Sequence, residues 1–144
     1  MSVPARVSLA TLGVADVARS TEFYESLGWR LSPVSVPGLV SVFQTAGGLF
    51  SLVATDDISA DANLAPRTST DFRGTMLAIN VETPAAVDDG LRSAVQAGAT
   101  LVKAGNSTES GGYLGYFTDP DGHLWSITCN PAWPLADDGT PSLP

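Results

Sequence analysis

The chain runs through one order of strand-like and helix-like stretches and then runs through it again. Residues 7–14, VSLATLGV, are rich in β-branched and aliphatic side chains and read as a strand. Asp16 then offers an N-cap to VARSTEFYESLG, where Val17, Phe23, Tyr24 and Leu27 follow helical spacing and Gly28 supplies the left-handed stop. Strands are expected at 29–34, 39–45 and 49–54, with turn signals SVPG at 35–38 and AGG at 46–48 between them. The order recurs from TMLAINV at 75–81. Thr83 caps a helix that opens on Pro84, carries Val87, Leu91 and Val95 along one face, and closes at Gly98. Strands follow at 100–103, 113–118 and 123–129. Corresponding points in the two copies stand roughly 70 positions apart.

This repeat predicts an α+β protein of two β-α-β-β-β modules, 7–54 and 75–129, forming a single domain over 1–144. The polar stretch 55–74 reads as a linker or lid, and 130–144, with its four prolines, as an irregular tail. A sheet covered on one face by its helix leaves the other face to be buried. Two copies are therefore expected to form a curved sheet around a shared cavity, lined by alternate residues of each strand. A binding site is expected there.

Composition narrows what such a cavity meets. With 144 residues, 44% hydrophobic and 15% charged, the chain has the makeup of a folded domain. A net charge of −8 with seven Lys plus Arg excludes the basic patches that nucleic acid requires. No apolar run approaches the roughly 20 residues of a membrane span. The opening MSVPARVSLATL lacks the basic and apolar regions of a secretory signal, and the lone Cys129 fits a reducing compartment, so a cytoplasmic protein is expected.

Two motifs carry a resemblance. LGVADVARSTEFYESLGW at 12–29 and GYFTDPDGHLWSI at 115–127, supported by INVETPAAVDDGLRSAVQAGA at 79–99, resemble the vicinal oxygen chelate superfamily. That group holds glyoxalase I, extradiol dioxygenases and drug-binding proteins of the bleomycin-resistance type. Metal-using members hold one divalent ion with His, Glu or Gln from four equivalent strand positions. Matched through the motifs, and with Gly48 set on Gly122, those positions are Leu9, Leu52, Met76 and Ser126 here. Two Leu, a thioether and a hydroxyl do not make a site for Mg, Mn, Fe or Zn. With one His in the chain, any pair of imidazoles is also excluded.

No catalytic residue, metal or cofactor is therefore expected. His123 follows the DPDG turn at the parity opposite Ser126, so no base reaches that hydroxyl along the strand. Cys129 lacks a cationic neighbour to activate it. DPDG is explained as a turn by Pro120 and Gly122. Asp56, Asp57 and Asp61 read as a solvated acidic loop, and Trp133 as an anchor for the tail. The expected lining is Leu9, Thr11, Phe50, Leu52, Met76, Ala78, Tyr116, Leu124 and Ser126, with Thr11 and Ser126 orienting the ligand. The resemblance implies a homodimer that sequesters a small apolar or aromatic, potentially cationic, molecule. A lyase, isomerase or dioxygenase with a non-standard site is the alternative.

Overall fold

The computed structural model describes residues 2–65, 69 and 71–144; the part of the expected linker at 66–68 and 70 lies outside the described residues. The chain divides into two compact units, Met1–Arg67 and Thr68–Pro144. No helix among the described residues is long and apolar enough to cross a membrane.

In the first unit, β1 (Leu9–Val14) leads through Asp16 into α1 (Val17–Ser26), and β2 (Val40–Thr45) and β3 (Gly48–Ala54) complete a sheet ordered β1-β3-β2. Asp16 caps α1 as its side chain implies, Oδ1 accepting from the Arg19 N–H at 3.1 Å. Gly28 stands at φ 92° just beyond the helix, a conformation costly for a residue with a Cβ. The buried face of α1 carries Val17, Phe23 and Tyr24. The Tyr24 ring lies 4.9 Å from Phe50, 5.4 Å from Trp29 and 6.2 Å from Phe43, centroid to centroid. This four-ring cluster is the core of the unit.

Two expectations fail in this unit. The strand predicted at 29–34 shrinks to one bridge between Leu31 and Phe43. Pro33 has no N–H for a ladder, and the Ser35 side chain takes part of its place. The Val42 N–H donates to Ser35 Oγ at 2.9 Å, while the Ser32 N–H donates to the Val42 carbonyl at 2.7 Å. The stretch read as polar loop contains a helix, α2 (Thr55–Ala62). Asp56 and Asp57 sit in its first turn, where carboxylates favour the helix dipole, and Asn63 ends it at φ 56°. Its weak apolar periodicity hid it.

The second unit holds β4 (Met76–Asn80), α3 (Pro84–Ala97), β5 (Thr100–Ser107), β6 (Tyr113–Thr118) and β7 (Leu124–Cys129), in sheet order β4-β7-β6-β5. Thr83 Oγ1 accepts from the Ala86 N–H at 3.1 Å, and Gly98 closes α3 at φ 115°. Val87, Leu91 and Ala94 are the buried side of α3. Phe117 and Trp125 stack beneath it, 6.3 Å apart and 4° from parallel. β5 runs past its expected end at 103 because register shifts between Leu101 and Lys103, and again before Asn106, let it bend and continue. The Tyr113 hydroxyl donates to Asp88 Oδ1 at 2.8 Å, a bond that holds its proton and raises its pKa.

The tail makes a small hairpin of its own. Ala136 N–H donates to the Thr140 carbonyl at 2.9 Å around Gly139 at φ 88°, and Trp133 remains 39% exposed.

Candidate functional site

Each sheet has a face packed on its helix and a face opposite it, and register decides which residue lies where. In β1 and β3, Leu9 pairs with Leu49, Ala10 with Phe50, Thr11 with Ser51 and Leu12 with Leu52. Phe50 touches the α1 ring Tyr24, so Ala10, Leu12, Phe50 and Leu52 face the helix. Leu9, Thr11, Leu49 and Ser51 take the opposite face, where the Thr11 and Ser51 hydroxyls bond at 2.7 Å. Val42, paired with Ser51 across β2, joins them.

In the second unit Met76 pairs with Leu124, and Ala78 and Tyr116 both pair with Ser126. A Cβ on Gly90 of α3 would stand 2.7 Å from Ile127 Cδ1, which puts Ile127 and, by alternation, Trp125 against the helix. Met76, Ala78, Leu124, Ser126, Thr128 and Tyr116 therefore lie on the face opposite α3. The Ser126 and Thr128 hydroxyls lie 3.2 Å apart, confirming the shared side.

The expected lining thus divides. Leu9, Thr11, Met76, Ala78, Tyr116, Leu124 and Ser126 lie on the faces opposite α1 and α3. Phe50 and Leu52 do not; at 3% and 0% exposure they belong to the core beneath α1. The cause is one residue of register. Gly48 is already in the ladder, paired with Thr45 across the tight turn Ala46–Gly47, whereas Gly122 lies inside the longer turn that joins Thr118 to Leu124. Setting one glycine on the other slips the strand by one position, which exchanges its faces. The counterpart of Ser126 is Ser51, not Leu52. Both serines are 2% exposed, and both stand in the third register pair of a parallel strand couple. Ser51, Val42 and Leu49 were missed; the signal for them was the two-residue hairpin turn, which fixes register by its length.

With this correction the four positions matched through the motifs hold Leu9, Ser51, Met76 and Ser126. Two neutral hydroxyls, an aliphatic side chain and a thioether do not fit a divalent ion. Among the described residues, no three His, Cys, Asp or Glu side chains gather closely enough to hold one. Of the residues in the β4–β7 ladders that share the face of Ser126, Lys103, opposite Tyr116, carries a charge. These faces offer buried area and hydroxyl hydrogen bonds, and no nucleophile–base pair.

The DPDG turn at the end of this sheet is structural. Asp119 is buried, and its Oδ1 accepts from the Asp121 N–H at 3.0 Å and the His123 N–H at 2.9 Å. Gly122 takes φ 83°, and Arg73 Nη2 donates to the Asp121 carbonyl at 3.1 Å. The His123 amide is thus part of the turn that sets the start of β7. Asp119→Ala strands two backbone donors and should lower unfolding free energy by about 2 kcal/mol, with Asp119→Asn retaining most of it. Urea denaturation checks this; a loss below about 0.5 kcal/mol would remove the carboxylate from the account of the turn.

Comparison with known proteins agrees with this architecture. A family model described as Glyoxalase/Bleomycin resistance protein/Dioxygenase superfamily matches residues 6–127. A solved glyoxalase-related enzyme from Fulvimarina pelagi is similar at 30% identity and TM-score 0.85, over 97% of this chain and 99% of that one. A glyoxalase/bleomycin resistance protein/dioxygenase family enzyme from Burkholderia phytofirmans PsJN is similar at 24% identity and TM-score 0.75, over 85% and 96%. A lactoylglutathione lyase from Agrobacterium tumefaciens is similar at 20% identity and TM-score 0.69, over 93% and 100%. The last two share the fold. No curated protein matches the chain.

Proposed function

This chain belongs to the Glyoxalase/Bleomycin resistance protein/Dioxygenase superfamily, and we propose that within it the protein binds a small molecule without using a metal. One observation carries the reading. The strand positions that supply metal ligands in resembling proteins are Leu9, Ser51, Met76 and Ser126, and none is a carboxylate or imidazole. The ligand class follows from the chemistry of the faces. Met76, Ala78, Leu124 and Tyr116 offer apolar and aromatic contact, while Ser126 and Thr128 offer hydroxyls to a neutral polar group. The net charge of −8 disfavours anions, and Lys103 on this face disfavours cations, so a neutral molecule is favoured. Sequestration by a cytoplasmic homodimer is the biological form this reading takes.

A second reading, an enzyme, is favoured by the Fulvimarina pelagi relative, which is described as glyoxalase-related. The two readings part on metal. Elemental analysis of the purified protein should find less than about 0.1 transition-metal atom per chain, since no donor set on these faces suits one. A stoichiometric metal overturns the binding reading. Titration calorimetry with a neutral aromatic probe, 1-naphthol, tests the site itself. Ser126→Glu puts a carboxylate among apolar groups and should weaken binding by about tenfold or more. Unchanged affinity removes Ser126 from the lining.

A further inference from the structure

The first unit contains a cleft of about 460 Å³ on the helix side of its sheet, apart from the faces discussed above. It exists because the strand expected at 29–34 did not form. The segment stays tied to β2 by the Leu31–Phe43 and Val36–Val40 bridges, and a space is left between residues 31–38 and the flank of α1. Its size falls within the range of small-molecule sites, roughly 300–1,000 Å³. No lining side chain is charged.

The floor is made by Thr21 of α1 and Ser41 of β2, both buried. Their hydroxyls lie 2.6 Å apart, and the Thr21 hydroxyl donates to the Val17 carbonyl at 2.6 Å. Thr21 has one proton and has given it to Val17. Ser41 must therefore donate to Thr21, and its own oxygen keeps lone pairs that can accept. Ser35 is committed to the β2 backbone through Val42. Ser32 Oγ accepts from the Val34 N–H at 3.3 Å, which leaves its proton to give. The rings of Pro33 and Pro37 and the side chain of Leu31 form apolar walls.

We propose that this cleft is a second binding site, for a neutral aromatic or alicyclic molecule that donates a hydroxyl hydrogen bond to Ser41. The ring packs between the prolines, and a carbonyl or ether on the ligand accepts from Ser32. A carboxylate is refused, because Ser41 presents an acceptor and no cation lies in the lining to compensate. The inference does not rest on the function proposed above, since the two sites share no residue.

The test uses the full-length protein and three probes, followed by amide shifts in NMR titrations. These are 4-hydroxyacetanilide, acetanilide and 4-acetamidobenzoate. Saturable shifts are expected at Ala18, Thr21, Ser32 and Ser41. The hydroxylated probe should bind about three- to tenfold more tightly than acetanilide, the effect of one hydrogen bond, and the carboxylate should bind weakest. Ala18→Trp, on the exposed side of α1, should fill the cleft and abolish these shifts, whereas Ser126→Glu should leave them. Ser41→Ala should erase the difference between the two neutral probes. Shifts that fall elsewhere or survive in Ala18→Trp, tightest binding by the carboxylate, or a neutral-probe difference that persists in Ser41→Ala, would each overturn the proposal.

Discussion

Phe50→Ala is expected to lower the unfolding free energy by about 4 kcal/mol, the cost of emptying a packed aromatic position. Phe50 is 3% exposed, with its ring 4.9 Å from Tyr24, 5.4 Å from Trp29 and 6.0 Å from Phe43. Removing it opens a void in the middle of the cluster, which cannot collapse without moving α1 off the sheet. Trp29 is a member of that cluster, so its fluorescence during urea denaturation reports the loss directly. Leu49→Ala is the control. Leu49 is the next residue on the strand, lies on the other face and is half-exposed, so its truncation should cost less than about 1 kcal/mol. Equal costs for the two variants would mean that the faces of β3 are assigned wrongly. The placement of Ser51 as the partner of Ser126 would then fall with them.

Gly115→Ala should cost about 3 kcal/mol, or roughly 10 °C in melting temperature. An added Cβ would press on Leu91 Cδ1 and stand 2.8 Å from the Lys103 carbonyl oxygen and 3.0 Å from the Gly105 nitrogen. Leu91 can change rotamer. The backbone of β5 cannot, because its irregular register between Lys103 and Asn106 carries it close over β6 at this point. Gly90→Ala makes the comparison. Its Cβ meets the end of the Ile127 side chain at 2.7 Å, a flexible atom, and alanine regains about 1 kcal/mol of helix propensity. That variant should stay within about 1 kcal/mol of the parent. If thermal melts followed by circular dichroism rank the two glycines the other way, close backbone approach is not what requires glycine at 115.

Most elements were legible where local chemistry writes its own signal. Asp16 and Thr83 cap the helices that follow them, Pro84 opens the second, and Gly28 and Gly98 end each with positive φ. The strands at 113–118 and 124–129 follow from alternation and the DPDG turn. What failed to read were features that depend on competition between distant groups. Residues 29–34 have strand-like composition, yet the Ser35 hydroxyl takes the Val42 N–H that a ladder needed. Residues 55–62 look like a polar loop and form α2, because two acidic residues at one end and Asn63 at the other suffice where apolar periodicity is weak.

The candidate site divides along the same line. By itself the sequence determined that the chain runs twice through one order of strand and helix, and that Met76 and Ser126, the positions matched through its motifs, carry a thioether and a hydroxyl. It also determined that their chemistry is wrong for a metal. These follow from residue types at fixed distances from a cap or a turn, and such distances are local. Only the tertiary structure decided that Ser51, and not Leu52, is the matching position in the first unit, and that Phe50 belongs to the core. Side chains alternate every residue along a strand, so a hairpin turn of different length reverses every assignment beyond it. The ladder between β2 and β3 is what sets that count.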